Sequence, residues 1–389
     1  MASDSQYPEN FYCSSTKNSQ EIINRAREED RGARLLLMSG GGSHGAWGAG
    51  FINGWREQGA NPLDMITGVS AGAMSATFVY LEDAEGLKNL FLETTTKEFY
   101  RKRFPLFALF SDSLYTTKPQ KKRLLELFSN DVIDQVALRA RGKGHWKTPP
   151  PILCIGTVNL NTNTFVQWNL AEIAKAEDYR LYRKVLKAAV AFPVLFPPVE
   201  LKDGLYTDGG LKENIFVALH DITVHHAINY NTTGTTAGTY PDFTVTSLDE
   251  YKKLEQKQQE IALDAAQKIL ELVKAKPIAY LIFNGKTELE DISWITKKLL
   301  PLSKRAMSIM MNQRTQGNLY RLHYDLILKD DDLNIGWDFR YTKIPLTLNV
   351  PCNFMAFDPE CTKMIYKESH IQGLANKWEE GFPNFAESQ

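Results

Sequence analysis

Apolar and polar positions near the start of the chain alternate so that strand, glycine turn and helix are predicted twice over. Leu35–Met38 is a short apolar run inside a strand expected over residues 33–39, and it runs directly into Gly40-Gly41-Gly42-Ser43-His44-Gly45. Ala46, Ala49, Phe51, Ile52 and Trp55 then supply apolar faces at helical spacing, predicting a helix over 45–58. A second strand, expected over 64–67, runs into Gly68-Val69-Ser70-Ala71-Gly72. Small residues carry that turn into a helix over 71–81. From Gly40 to Gly68 the two turns are 28 residues apart.

The same reading extends along the chain. Residues 1–30 are polar and suggest a loose arm with a short helix over 19–29. Residues 86–146 read as helices packed outside the first strands. Residues 104–110 (FPLFALF) read first as core packing and second as a lid or lipid-facing segment. A buried-type strand over 151–158 turns at 159–163 and returns over 164–168, and a helix over 179–191 ends in the proline-rich 192–198. Residues 231–250 are a Thr- and Gly-rich loop and 251–275 a charged amphipathic helix. Strands are expected at 278–283, 322–328 and 339–348, with helices over 292–319 and 361–378. This alternation predicts an α/β sheet protein.

Composition narrows the partners more than the fold. The chain has 389 residues, enough for one large domain or two ordinary ones. A formal net charge of −1 gives no electrostatic case for nucleic acid. Cys13, Cys154, Cys352 and Cys361 are scattered, with no CxxC and no zinc spacing. They predict neither a metal site nor a disulfide framework, and lean towards a reducing compartment. No apolar run reaches the ~18 residues of a membrane span, and the first residues do not read as a signal peptide. The compartment stays open between cytoplasmic and secreted; the sequon at Asn231 matters only in the second case.

The two turns carry the candidate chemistry. Gly40-x-Gly42-x-x-Gly45 matches a dinucleotide fingerprint, whose acid would end the second strand; Asp64 instead precedes it. No Gly-Lys-Ser/Thr follows, so a P-loop is excluded. The third consecutive glycine suits a backbone that turns N–H groups inward, and the following helix adds its dipole, which favours a developing oxyanion. In the second turn Ser70 sits between Gly68 and Gly72, the pattern of a nucleophile elbow. A serine needs a base. His370 follows Ser70 and Asp208 in the chain order Ser–Asp–His, which allows a triad. Asp208, before Gly209-Gly210 and after the proline-rich segment, is also placed to take the proton itself, from a partly dehydrated site. The adjacent His225 and His226 read as packing or surface residues.

Three motifs in order, GGGSHG, GVSAG and DGG, make residues 35–213 resemble the patatin-like phospholipases. Residues 157–163 resemble the family's Thr-rich strand and turn, and 188–199 its approach to the aspartate. Asn284-Gly285, Phe357-Asp358 and the last helix with Trp378 resemble a bacterial branch. The resemblance implies a three-layer α/β/α sandwich with a central, mostly parallel sheet and the serine on a nucleophile elbow. It implies a Ser70–Asp208 dyad, an oxyanion hole from the N–H groups of Gly40, Gly41 and Gly42, a supporting turn at Gly209 and Gly210, and no metal or other cofactor. Two departures stand out: His44 replaces a frequent Arg or Lys, and the family's DGG-x-x-x-N-x-P ends here in Asn214-Ile215-Phe216, without the proline.

The expected organisation is a polar arm over 1–30 and one hydrolase domain over 31–389, with an insertion at 231–275 and a C-terminal extension from 278. The expected activity is lipid acyl hydrolysis through an acyl-enzyme, with phospholipid or another lipid ester as substrate and peripheral contact with a membrane surface. Residues 104–110 and 192–198 are candidates to line an acyl channel. The alternatives are a Ser–Asp–His triad esterase, a catalytically silent lipid-binding relative, and a nucleotide-binding oxidoreductase built on the first turn.

Overall fold

Neighbouring side chains of the first strand leave on opposite faces: Leu36 and Met38 join one buried cluster, Leu35 and Leu37 another. The same split recurs at Tyr280/Ile282 against Ala279/Leu281 and at Leu153/Ile155 against Ile152/Cys154. A sheet buried on both faces between helices follows, which is why these strands read as apolar runs. The computed structural model describes residues 6–29, 31–102, 115–116, 118–193, 195–219, 277–285, 315–319, 322 and 337–382.

The strands are β1 (Arg34–Met38), β2 (Met65–Val69), β3 (Arg101–Lys102), β4 (Tyr115–Thr116), β5 (Ile152–Asn159), β6 (Thr164–Asn169), β7 (Val199–Leu201), β8 (Gly204–Asp208), β9 (Ile278–Phe283), β10 (Asp338–Lys343) and β11 (Glu379–Glu380). The main sheet has the order β11-β10-β9-β1-β2-β5-β8-β7, with β6 also on β5; β3 and β4 pair separately. From β10 to β5 neighbouring strands run parallel, and antiparallel pairs flank them. Helix α1 (Ser15–Glu28) adds Ile22 and Ala26 to one cluster. Helices α2 (Ala46–Glu57) and α3 (Ala71–Leu81) and the helix Pro359–Leu374 add to the other. Every residue of α3 is buried, as an all-round apolar helix requires. The architecture is the expected α/β/α sandwich.

One edge of β5 decides where the site forms. Its residues 152–156 pair with β2, and its residues 157–159 pair with β8, while β6 covers the opposite edge. β8 therefore lies end to end with β2 along β5. Val69 faces Gly156 and Asp208 faces Thr157, so the residue after Val69 and the last residue of β8 converge.

Several expectations are corrected. All four cysteines pair, as Cys13–Cys154 and Cys352–Cys361. Partners 141 residues apart are brought together by the sheet and leave no spacing signature. The lean towards a reducing compartment falls with them. The N-terminal segment is not a loose arm: Cys13 N–H donates to Gln167, Tyr12 bridges Trp168, and α1 is longer than expected. Asp64 is fully buried at the start of β2, where its carboxylate accepts from both Arg31 Nη atoms at 2.7 and 2.8 Å and from Arg34 N–H at 2.8 Å. It is structural and sits at the end of the strand away from the glycine turn, which removes the dinucleotide reading. Residues 104–110, His225, His226, Asn231, the expected insertion 231–275 and most of 292–328 lie outside the described residues.

Candidate active site

Ser70 ends β2 and precedes α3 with φ 52° and ψ −118°, a conformation that non-glycine residues seldom adopt. The neighbouring backbones explain the flanking glycines. A Cβ at Gly68 would lie 2.4 Å from the Gly72 carbonyl oxygen, and one at Gly72 would lie 2.4 Å from that of Met38. Only a side chain without a Cβ lets the elbow fold this tightly against β1.

Asp208 is 1% exposed. Its carboxylate accepts from the Gly210 N–H at 2.8 Å, and the Ser70 hydroxyl beside it, like that N–H, favours the ionised form. Burial pushes its pKa from 3.8 up to about 7, against the pull of those two donors. Gly209 backs directly onto the Gly156 carbonyl, where a Cβ would sit at 2.6 Å. Serine and aspartate thus lie side by side, held on the shared edge of β5.

The glycine turn lies against the serine: a Cβ at Gly40 would be 2.9 Å from Ser70 Cβ and 3.6 Å from its Oγ. One expected donor is occupied, because Gly40 N–H donates to Asn214 Oδ1 at 3.0 Å. Ser43 N–H is also taken, by the Phe354 carbonyl at 2.8 Å. Among the described residues no acceptor meets the N–H groups of Gly41 or Gly42. Gly42 has φ +58°, and its Cα faces the Phe354 carbonyl.

His370 is not brought to Ser70. Its Nε2 pairs with Glu57 Oε1 at 2.9 Å, at the C-terminal end of α2, about 18 Å of helix away from the glycine turn. His44 Nε2 is 3.1 Å from the Cys352 carbonyl and must donate there, since a carbonyl only accepts. It fastens the turn to the segment 352–357. In the sequence Asn284, Phe357 and Asn214 stand out only through the resemblance, and their contacts with the glycine turn do not; the available signals are an Asn-Gly at the end of an apolar strand and the asparagine six residues after Asp208.

Residues 36–219 match the family model described as Patatin-like phospholipase. Over those residues the chain is similar to the patatin-like phospholipases. The matched segment supports lipid acyl hydrolase activity in general and implies a lipid substrate. It contains the glycine turn, Ser70 and Asp208, while β9 and β10, beyond it in sequence, complete its sheet. Among solved structures, "Crystal structure of VipD from Legionella pneumophila" matches at a TM-score of 0.34 and 15% identity, over 90% of this chain and 68% of that one. No curated protein sequence matches the chain. Among the described residues no helix is long and apolar enough to cross a membrane, and no group of His, Cys, Asp and Glu has the arrangement to hold a metal ion.

Proposed function

We propose that the protein cleaves lipid acyl esters with a Ser70–Asp208 dyad through an acyl-enzyme. The observation that carries this reading is the placement of Ser70 beside a buried carboxylate, both held on one edge of β5, where burial raises the carboxylate's pKa towards neutrality. A carboxylate so raised is a far better proton acceptor than an exposed one, and still ionises near neutrality. Ser70 Oγ attacks the ester carbonyl carbon as its proton passes to Asp208. The oxygen that gains charge is met by the N–H groups of Gly41 and Gly42. Collapse expels the alcohol, which takes the proton from Asp208 and leaves the acyl group on Ser70. Water then attacks that ester, passing one proton to Asp208, and the fatty acid leaves as Ser70 regains its hydrogen.

The N-terminal end of α2 follows the turn and adds its partial positive charge. Apolar substrate contact falls to Phe192 and Phe196 of the proline-rich segment, with Phe196 against Tyr100. The domain runs from the N-terminal segment to the final helix as one hydrolase unit, and its substrate is presented at a lipid surface.

Hydrolysis of a short p-nitrophenyl ester tests the dyad. Ser70→Ala loses activity and loses labelling by a fluorophosphonate probe, whereas His370→Ala keeps kcat within about two-fold. Parent-level turnover by Ser70→Ala overturns the reading, and a collapse in His370→Ala revives the triad. An unlabelled Ser70 in the parent protein points to a silent lipid-binding relative.

A further inference from the structure

Three buried polar residues frame the glycine turn without entering the chemistry above: Ser39, Asn214 and Asn284, at 2%, 7% and 1% exposure. Ser39 Oγ has a single hydrogen, and it donates it to the Gly40 carbonyl at 2.9 Å while accepting from the Asn284 N–H at 3.0 Å. The Asn284 side chain works in both directions. Its Nδ2 donates to the Ser39 carbonyl at 2.7 Å and its Oδ1 accepts from the Gly48 N–H at 3.1 Å, so one amide ties the end of β1 to the first turn of α2. Asn214 Oδ1 takes the Gly40 N–H, and its Nδ2 donates to Thr315 Oγ1 at 2.8 Å. Its own N–H donates to Asn318 Oδ1 at 2.8 Å.

These bonds fix peptide planes. In a trans peptide the carbonyl and the next N–H point in opposite directions. With the Gly40 carbonyl held by Ser39, the Gly41 N–H must point away from Ser39. With the Gly41 carbonyl held by the His44 N–H at 3.1 Å, the Gly42 N–H is fixed in the same way. The Gly40 N–H is removed from competition by Asn214. Gly40 is also wedged: a Cβ there would lie 2.7 Å from Asn214 Oδ1 and 2.9 Å from Ser70 Cβ. Gly41 is closer still to Asn284, with a Cβ 1.6 Å from that residue's carbonyl oxygen. In this turn, and among the described residues, the Gly41 and Gly42 N–H groups are left for a ligand oxygen.

We infer that Ser39, Asn284 and Asn214 are positioning residues, which aim the Gly41 and Gly42 N–H groups at the oxyanion formed beside Ser70. The inference rests on the Ser70–Asp208 reading and deepens it. Asn214 lies six residues after Asp208, so the segment that presents the base also holds the oxyanion turn, and both halves of the site are set together. A preorganised donor acts in the transition state far more than in the ground state. Loosening the frame therefore lowers kcat and leaves KM nearly unchanged.

The experiment compares the parent, Ser39→Ala, Ser39→Thr, Thr315→Val and Ser70→Ala on a short p-nitrophenyl ester, with an alkyl boronic acid as tetrahedral analogue. Ser39→Ala lowers kcat about ten- to a hundred-fold, with KM within about two-fold. Its affinity for the boronic acid falls in parallel, and Ser39→Thr, which keeps the hydroxyl, recovers most of the loss. Thr315→Val releases only the far end of Asn214 and lowers kcat by about three- to ten-fold with the same split; it carries the test if Ser39→Ala fails to fold. Unchanged kcat in the folded variants overturns the frame, as does a rise in KM at constant kcat. Equal loss in Ser39→Thr and Ser39→Ala overturns the hydroxyl's role. Ser70→Ala at the parent rate overturns the hydrolase reading and the frame together; a silent Ser70→Ala beside an unimpaired Ser39→Ala overturns the frame alone.

Discussion

Asp208 shows how burial alone makes a carboxylate hold its proton. Its two donors, the Gly210 N–H and the Ser70 hydroxyl, favour the ionised form, yet desolvation outweighs them and holds the pKa near 7. If Asp208 is the base, kcat/KM rises with pH through an apparent pKa near 7 and levels above it. The same shift has a cost in stability. Between pH 3.8 and about 7 the folded protein keeps a proton that the unfolded chain has lost, so this residue's contribution to stability falls as pH rises across that window. Asp208→Asn removes the buried charge while its amide oxygen still accepts from Gly210. The variant should be inactive and, at pH 8, more stable than the parent by roughly 2–4 kcal/mol. That advantage shrinks towards pH 4. Urea unfolding curves at pH 4, 6 and 8 check the sign; an advantage independent of pH would show that no charged carboxylate is buried there.

At the level of elements, much of the site was legible because its signals are local. A strand, a glycine turn and a helix each follow from apolar runs and residues lacking a Cβ, and Ser70 on its elbow needed nothing further. The convergence of Ser70 and Asp208 was not local. It depends on β2 and β8 lying end to end along one edge of β5, which no periodicity records. The glycines of α2 were likewise read only as parts of a helix, where each costs up to about 1 kcal/mol against alanine. For Gly50 and Gly54 the reason is a helix late in the chain. A Cβ at Gly50 would lie 2.3 Å from the Tyr366 carbonyl oxygen and one at Gly54 2.2 Å from that of His370, while Gly373 faces the Phe51 carbonyl as closely, at 2.1 Å. α2 and Pro359–Leu374 thus pack backbone against backbone behind the glycine turn. Gly54→Val should force them apart and lower stability by about 2–3 kcal/mol. Because α2 carries the turn, kcat should fall too, although Gly54 is some three turns from Ser43. Thermal unfolding together with initial rates tests this, and a stable, fully active Gly54→Val protein would show that the close approach is dispensable.

Across the whole molecule, the least legible feature was how the N-terminal segment is fastened. The polar N-terminal segment resembles solvated chain by composition, and among the described side chains of α1 Ile22 and Ala26 enter the second cluster. Its attachment depends on Trp168, on which Tyr7 and Tyr12 pack, and on the Cys13–Cys154 bond to a central strand. That bond closes a loop of 141 residues around the strands of both glycine-flanked turns, so cutting it restores much freedom to the unfolded chain. Cys13→Ser should therefore lower stability by roughly 2–5 kcal/mol. Its effect on rate should be small. Cys154 points into the second cluster, whereas the carboxylate that meets Ser70 is set by Thr157, three positions further along β5. The prediction is thus a split: a lower urea midpoint, with kcat for a short ester within about two-fold of the parent under conditions where both proteins are folded. Reduction of the parent with a thiol reagent should reproduce the lower midpoint and leave Cys13→Ser less affected, because that variant retains only Cys352–Cys361. A Cys13→Ser protein with an unchanged midpoint would mean that tyrosine packing on Trp168 alone fastens the N-terminal segment.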